Sequence, residues 1–307
     1  MPITKYLNTL VGFLRCPVCL SKLIITSKRT MRCTKCTNNY AIEEEIPILK
    51  PARIKNELTF IKWTDYYENY DFNKNYIEYL KHINYILKYV DKILLNKKII
   101  LEIGSGPSFF SFEMAKQGKI VFCFDSNLNI LKKAKQFFLK NNIKGYFVCG
   151  DLLDLPFKNN FCDFIYGGGV IEHVRETNRC VSELYRVLKK RGLAMNTVPC
   201  VSFSTLTYYQ KWGNIPDIPL LRNTFEFTHI TLMKAKHMVN GYEKSFTTGK
   251  LFNIFSRNNF KKVKIGLFDF DQDKNAFDDK SILGLLCRKF YKYRLFWNVV
   301  YILASKD

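Results

Sequence analysis

Residues 97–108 read KKIILEIGSGPS, and this stretch decides the fold. Ile99, Ile100, Leu101 and Ile103 make the apolar run of a buried strand. Glu102, Gly104 and Gly106 then mark a turn, and a helix is expected from about Ser108. Glycines there let the backbone approach a ligand closely, and the helix N-terminus offers polar N–H groups. A dinucleotide fingerprint would place a third glycine where this chain has Phe109, so the turn departs from the NAD pattern. Downstream, KIVFCFD ends a second strand at Asp125, a carboxylate placed to accept hydrogen bonds from ribose hydroxyls. A third strand, GYFVCGD, ends at Asp151, followed by Leu152-Leu153-Asp154-Leu155-Pro156-Phe157 and a fourth strand at Cys162–Tyr166. Strand, glycine turn, helix, strand is the alternation of a parallel sheet covered by helices, an α/β fold.

Outward from this centre, residues 53–97 read as helical. Ile77, Leu80, Ile83, Leu87, Val90 and Leu94 recur every three or four residues and predict one buried face. Toward the C-terminus, Phe260–Phe270 and Leu295–Ala304 read as two strands, expected to be the antiparallel pair that closes the sheet. Between them Lys280–Arg294 is apolar and basic. A helix packed on its own sheet is the preferred reading, and peripheral contact with an anionic membrane is the other. The organisation expected is a module over 1–52, a helical linker or cover over 53–97, and the α/β domain over 98–307.

The chain has 307 residues, of which 47% are hydrophobic and 24% charged, which excludes collagen-like, low-complexity and mainly disordered classes. No apolar run reaches the roughly 20 residues of a transmembrane helix, so no transmembrane segment is expected. The first residues lack a signal-peptide pattern, and a cytoplasmic location follows as the expectation. The net charge of +21 raises the prospect of an anionic partner. Lysine dominates it and spreads along the whole chain, which fits compositional drift equally well.

Ten cysteines without a signal peptide point to metal ligation or core packing rather than disulfides. Cys16-Pro17-Val18-Cys19 and Cys33-Thr34-Lys35-Cys36 are two C-x2-C pairs, each able to turn two thiolates to one side. Alternation around Leu23–Thr26 allows a hairpin that brings the pairs together. Four thiolates then complete a closed, structural Zn2+ site formed by Cys16, Cys19, Cys33 and Cys36. A fifty-residue ribbon has little apolar surface of its own, so metal binding is expected to supply much of its stability.

The segments LEIGSGPS, FDSN, GDLLDLPFKNNFCDFIY, VIEHV and ELYRVLKKRGLAMNTVP, in this order over about residues 98–200, resemble class I S-adenosylmethionine-dependent methyltransferases of the type 11 domain family. The resemblance implies a Rossmann-like seven-stranded sheet, mostly parallel with an antiparallel last strand. It also implies that Glu102, Gly104 and Gly106 line the methionine portion of S-adenosylmethionine, that Asp125 holds the ribose, and that Asp151 and Leu152 contact the adenine. The family often has glycine where this chain has Ser108. The N-terminal ribbon resembles the small ribbon proteins that activate methyltransferases.

Methyl transfer to an atom bearing a proton can call for a base, and His173 in VIEHV is the candidate, because histidine titrates near neutrality. The family's acceptor side maps to Gly167-Gly168-Gly169, Glu172-His173, Asn196–Pro199 and the stretch containing His229, His237 and Glu243. The Asn/Asp-Pro-Pro-Tyr/Phe motif of amino-group methyltransferases acting on adenine or glutamine is missing. Tyr166-Gly167-Gly168-Gly169 stands in its place, which leaves O-, C- and other N-methylation. The leading expectation is methyl transfer to a small-molecule, lipid-linked or glycan acceptor. Ribosomal or transfer RNA is the alternative, since some RNA methyltransferases carry a four-cysteine ribbon and the charge suits phosphates. Glu43-Glu44-Glu45 would be an awkward surface for RNA. A non-catalytic scaffold that keeps the cofactor fold is the third reading.

Overall fold

A computed structural model describes residues 3–50, 57–203, 214–269 and 282–307. Eleven of its strands hydrogen-bond into one continuous sheet among these residues. Its centre is β5 (Ile99–Ile103), flanked on one side by β6 (Ile120–Asp125) and β7 (Tyr146–Gly150), and on the other by β8 (Cys162–Gly168) and β9 (Leu188–Pro199). These five run parallel. Beyond β9 lies β13 (Val299–Lys306), antiparallel to it, and then β12 (Lys261–Leu267), antiparallel to β13. The order β7-β6-β5-β8-β9-β13-β12 is the expected seven-stranded sheet with its last strand reversed. Because the chain winds outward from β5 through β7 and then returns to place β8 beside β5, the strand order switches there. A crevice opens at the carboxyl ends of β5 and β8.

The sheet exceeds seven strands because the N-terminal region continues it. After α1 (Ile3–Val11), β1 (Leu23–Ser27) and β2 (Thr30–Cys33) form the expected hairpin, followed by β3 (Asn39–Glu43) and β4 (Ile46–Leu49). β4 pairs in parallel with β7 through Ile48 opposite Cys149 and Leu49 opposite Gly150. The Ile46–Leu49 segment thus closes an edge that would otherwise offer unpaired backbone groups. Leu7, Leu10, Leu14, Leu23, Met31 and Ile42 are buried in the same cluster as Phe122, Phe157 and Leu184. The ribbon therefore borrows apolar surface from the α/β core, beyond what its own fifty residues provide. Its acidic run is also spoken for: Glu43 pairs with Lys132 at 2.7 Å and Glu45 with Lys135 at 2.9 Å. Both lysines lie on α5 (Leu128–Lys140).

Two helices precede β5: α2 (Leu58–Glu68) and α3 (Phe72–Leu94). The face of α3 differs in part from expectation. Ile83, Val90 and Leu94 are buried as read, and Ile86 joins them, whereas Ile77 is 67% exposed. In the first turns, Tyr76 and Tyr79 take the inward positions instead. They pack on Phe109, and Tyr76 also meets Phe112 of α4 (Phe109–Lys116). The remaining helices are α6 (Thr177–Val187), α7 (Arg222–Glu226), α8 (Thr248–Arg257) and α9 (Ile282–Phe290). α9 realises the expected apolar, basic helix. The strand expected from Leu295 begins at Val299, after a 3-10 turn at Arg294–Phe296. A small parallel pair, β10 (Ile215–Asp217) and β11 (Lys244–Phe246), lies in the insertion after β9. The expected module boundary at 52/53, Phe270 and Lys280 lie outside the described residues. No described helix is long and apolar enough to cross a membrane.

Candidate active site

The turn after β5 is built as only glycine allows. Gly104 and Gly106 have φ of +53° and +47°. A Cβ on Gly104 would lie 2.6 Å from Val170 Cγ2, and one on Gly106 would lie 2.5 Å from the Tyr67 hydroxyl. Ser108 adopts φ +59° as well, so the serine takes the left-handed conformation that glycine would give, held by its hydroxyl bonding Ser105 Oγ at 3.0 Å. Two carboxylates, Glu102 buried and Asp125 half-buried, frame the turn. Glu102 accepts from the Ser111 N–H at 2.8 Å, and burial pushes its carboxyl up to about 7. Asp125 accepts from the N–H groups of Gly106 and Asn127, both at 2.8 Å. Burial outweighs these bonds and raises its carboxyl above the ordinary value. Asp151 anchors the next loop by accepting from the Leu153 N–H at 2.9 Å.

These residues share one cavity of about 860 Å³, which takes in Glu102, Gly104, Gly106, Asp125, Asp151 and Leu152 together with His173. A glycine cradle that excludes any Cβ, beside carboxylates raised by burial, fits a cofactor with a cationic amino-acid end and a ribose. The geometry thus brings together every residue expected to meet the cofactor.

The other half of the cavity was not foreseen from the sequence. α2 contributes Phe60, Trp63, Tyr66 and Tyr67, and Tyr70 follows it. None of the residues of α2 is fully buried, because its aromatic face covers the cavity instead of entering the core. Thr64 accepts from the Asn127 side chain at 3.0 Å, and Lys133 donates to the carbonyls of Tyr67 and Glu68, both at 2.8 Å. Lys50, at the end of the ribbon, bonds the Ser126 carbonyl beside Asp125 and lies 4.5 Å over the Phe60 ring. The signal available in the sequence was the density of aromatics between Phe60 and Tyr70, without helical core periodicity.

His173 follows β8 in a 3-10 turn and packs edge-on to Trp63, with ring centroids 6.1 Å apart. Its Nδ1 lies 2.7 Å from the Tyr242 carbonyl oxygen. A carbonyl can only accept, so Nδ1 carries the proton and the neutral ring keeps its lone pair on Nε2. Thr59 fixes that carbonyl's residue from α2, accepting from the Tyr242 N–H at 2.9 Å and donating to its oxygen at 3.3 Å. The second histidine of the cavity, His82, is pushed down to about 4 by burial, which makes it a weak base. From the insertion the wall takes Ile230 and Tyr242. Against expectation, His229 and His237 bond each other at 2.7 Å away from this wall, and Glu243 is buried against Asn214 and Asn240. Glu172 is buried and is not among the cavity-lining residues, and burial raises its carboxyl well above the usual range.

At the ribbon, Cys16, Cys19, Cys33 and Cys36 place their sulfurs within 4.8 Å of one another, with Cys16–Cys36 at 3.5 Å and Cys19–Cys33 at 3.4 Å. Zinc–sulfur bonds of about 2.3 Å in a tetrahedron set the sulfurs about 3.8 Å apart, so the donor set fits a tetrathiolate site. Leu20 and Thr37, each just after a C-x2-C pair, both take left-handed φ and close matching knuckles. The Tyr40 hydroxyl, 3.1 Å from Cys16 Sγ, can donate to that thiolate.

A winding order that switches at β5, a glycine cradle and paired strand-end carboxylates are the features expected from the resemblance to class I S-adenosylmethionine-dependent methyltransferases. In agreement, residues 101–195 match the family model described as methyltransferase domain. A Cellvibrio japonicus biotin biosynthesis bifunctional protein, BioHC, is 35% identical over 100 residues, covering 33% of this chain and 19% of that protein. A malonyl-[acyl-carrier protein] O-methyltransferase of Buchnera aphidicola is 29% identical over 109 residues, covering 36% and 40%. The match thus spans well under two thirds of either relative. Among solved structures, the complex between the Haloferax volcanii Trm112 methyltransferase activator and its putative methyltransferase contains a chain with TM-score 0.52 and 13% identity. That likeness covers 76% of this chain and 93% of the other, and it shows the fold.

Proposed function

We propose that this chain transfers a methyl group from S-adenosylmethionine to a hydroxyl of a small-molecule, lipid-linked or glycan acceptor held under α2, with His173 as the base. The observation that carries the reading is the His173 Nδ1 bond to the Tyr242 carbonyl, which leaves Nε2 free to accept within the cavity that holds the glycine cradle. The cofactor supplies a methyl activated on a sulfonium sulfur. Glu102, Gly104 and Gly106 hold its amino-acid end, Asp125 its ribose, and Asp151 with Leu152 its adenine. Trp63, Tyr67 and Tyr242 form walls that exclude water and align the acceptor oxygen for in-line displacement. As the new carbon–oxygen bond forms and the carbon–sulfur bond breaks, the hydroxyl proton passes to His173 Nε2.

Charge inside the cavity favours this over RNA. Its lining carries Glu57, Glu78, Glu102, Asp125, Asp151 and Glu176, against Arg175 as the one Lys or Arg among the described lining residues. A polyanion is repelled there, whatever the net charge of the whole chain. The Buchnera relative, named as an O-methyltransferase, is consistent with an oxygen acceptor. The ribbon's role in this reading is structural: the four thiolates would hold Zn2+ and tie the knuckles around β1, β2 and β3 together. His173→Gln tests the base. Labelled methyl incorporation into an extract should fall by about 10²-fold or more, with cofactor affinity by calorimetry unchanged; full turnover in the variant would remove His173 from the chemistry.

A further inference from the structure

One face of α9 points outward with apolar side chains. Gly284 and Cys287 are buried against the body of the protein, whereas Ile282, Leu285 and Leu286 are 78%, 53% and 42% exposed. Exposed Tyr293 and Leu295 extend this surface, and Phe296 packs between Phe203 and Phe290 with ring centroids 5.8 and 5.7 Å away. The helix and the turn after it carry Arg288, Lys289, Lys292 and Arg294 and no aspartate or glutamate over residues 282–296, whereas five aspartates precede them in the sequence between Asp269 and Asp279. Among the described residues, Asp269 accepts from the hydroxyl of Tyr291, just after α9, at 3.5 Å. The position is also specific. Val299 lies opposite Pro199 and Leu267 opposite Val300, which puts α9 at the carboxyl edge of the parallel strands, where the cavity opens. Phe268, just past β12, packs at a tilt against His82 of the cavity wall, with ring centroids 5.5 Å apart.

We propose that α9 and the turn after it form an interfacial anchor that seats the protein on an anionic phospholipid bilayer. Ile282, Leu285 and Leu286 enter the boundary between headgroups and acyl chains, while Arg288, Lys289, Lys292 and Arg294 meet lipid phosphates. A cluster of outward aliphatic side chains gives RNA nothing to pair with, and a second copy of this chain would set like charges against each other. Seated this way, the protein turns the cavity edge toward the membrane. The anchor does not depend on the proposed chemistry, since vesicle binding is read without methyl transfer.

Sedimentation of the full chain with vesicles tests it. Binding to phosphatidylcholine vesicles containing about one-third phosphatidylglycerol should be at least tenfold stronger than to phosphatidylcholine alone and should weaken with salt. Leu286→Asp, and separately Lys289→Glu with Lys292→Glu, should lower it to the neutral-vesicle level. Leu139→Asp, an equally exposed site on α5, should leave it unchanged. Equal sedimentation with both vesicle types, or α9 variants that bind as the wild type does, would overturn the anchor. So would an α9-dependent dimer, or α9-dependent retention of RNA, in a protein that ignores vesicles.

Discussion

At the scale of single residues, two carboxylates and one histidine carry the account; burial raises both carboxyls, and the Tyr242 carbonyl orients the histidine. Glu102 is fully enclosed and held to about 7, so near neutrality it exchanges between a neutral acid and a carboxylate. Only the ionised form offsets the positive ammonium of a cofactor. Cofactor affinity should therefore fall as pH drops through 7, by roughly tenfold between about pH 8 and about pH 6. Calorimetry across that range checks this, and a flat dissociation constant would show that Glu102 does not face the ammonium. Such roles were partly legible beforehand. Glu102, Asp125 and Asp151 stood at strand ends in the primary sequence, and a parallel sheet gathers strand ends at one edge. The partner of His173 was not legible, because Tyr242 is 69 residues away, in an insertion whose path no periodicity announces.

At the scale of elements, the ribbon and α2 differ in how far their residues revealed them. Two C-x2-C pairs and a hairpin are local features, and both appeared where expected. The pairing of β4 with β7 is not local: it joins residues about a hundred positions apart, and nothing in Ile46–Leu49 names its neighbour. That pairing changes what metal removal should do. Chelation should expose the amides of β1, β2 and β3 to hydrogen exchange, because the knuckles lose their tie. β4 and β7 should stay protected, since Leu49 and Ile46 remain buried against the core. Hydrogen exchange followed by mass spectrometry separates these segments. Unchanged protection of β1–β3 under chelation would mean that the sulfurs hold no structural metal. α2 escaped the reading of its own sequence for the opposite reason: its aromatics neither repeat with a helical core period nor bury, because they cover a cavity.

At the scale of the whole molecule, net charge and site charge point in different directions. The chain carries +21 overall, yet the cavity wall is acidic, so charge summed along the sequence differs in sign from charge gathered at the site. The α/β architecture was readable from strand–turn–helix alternation. The distribution of carboxylates required the fold, because the acidic lining residues come from separate stretches of chain between Glu57 and Glu176. The measurement that weighs these together is transfer of labelled methyl from S-adenosylmethionine into extract of the source organism, with and without prior RNase treatment. The account predicts incorporation that survives RNase and partitions with metabolite, lipid or glycan fractions. Incorporation abolished by RNase would make RNA the acceptor and contradict it.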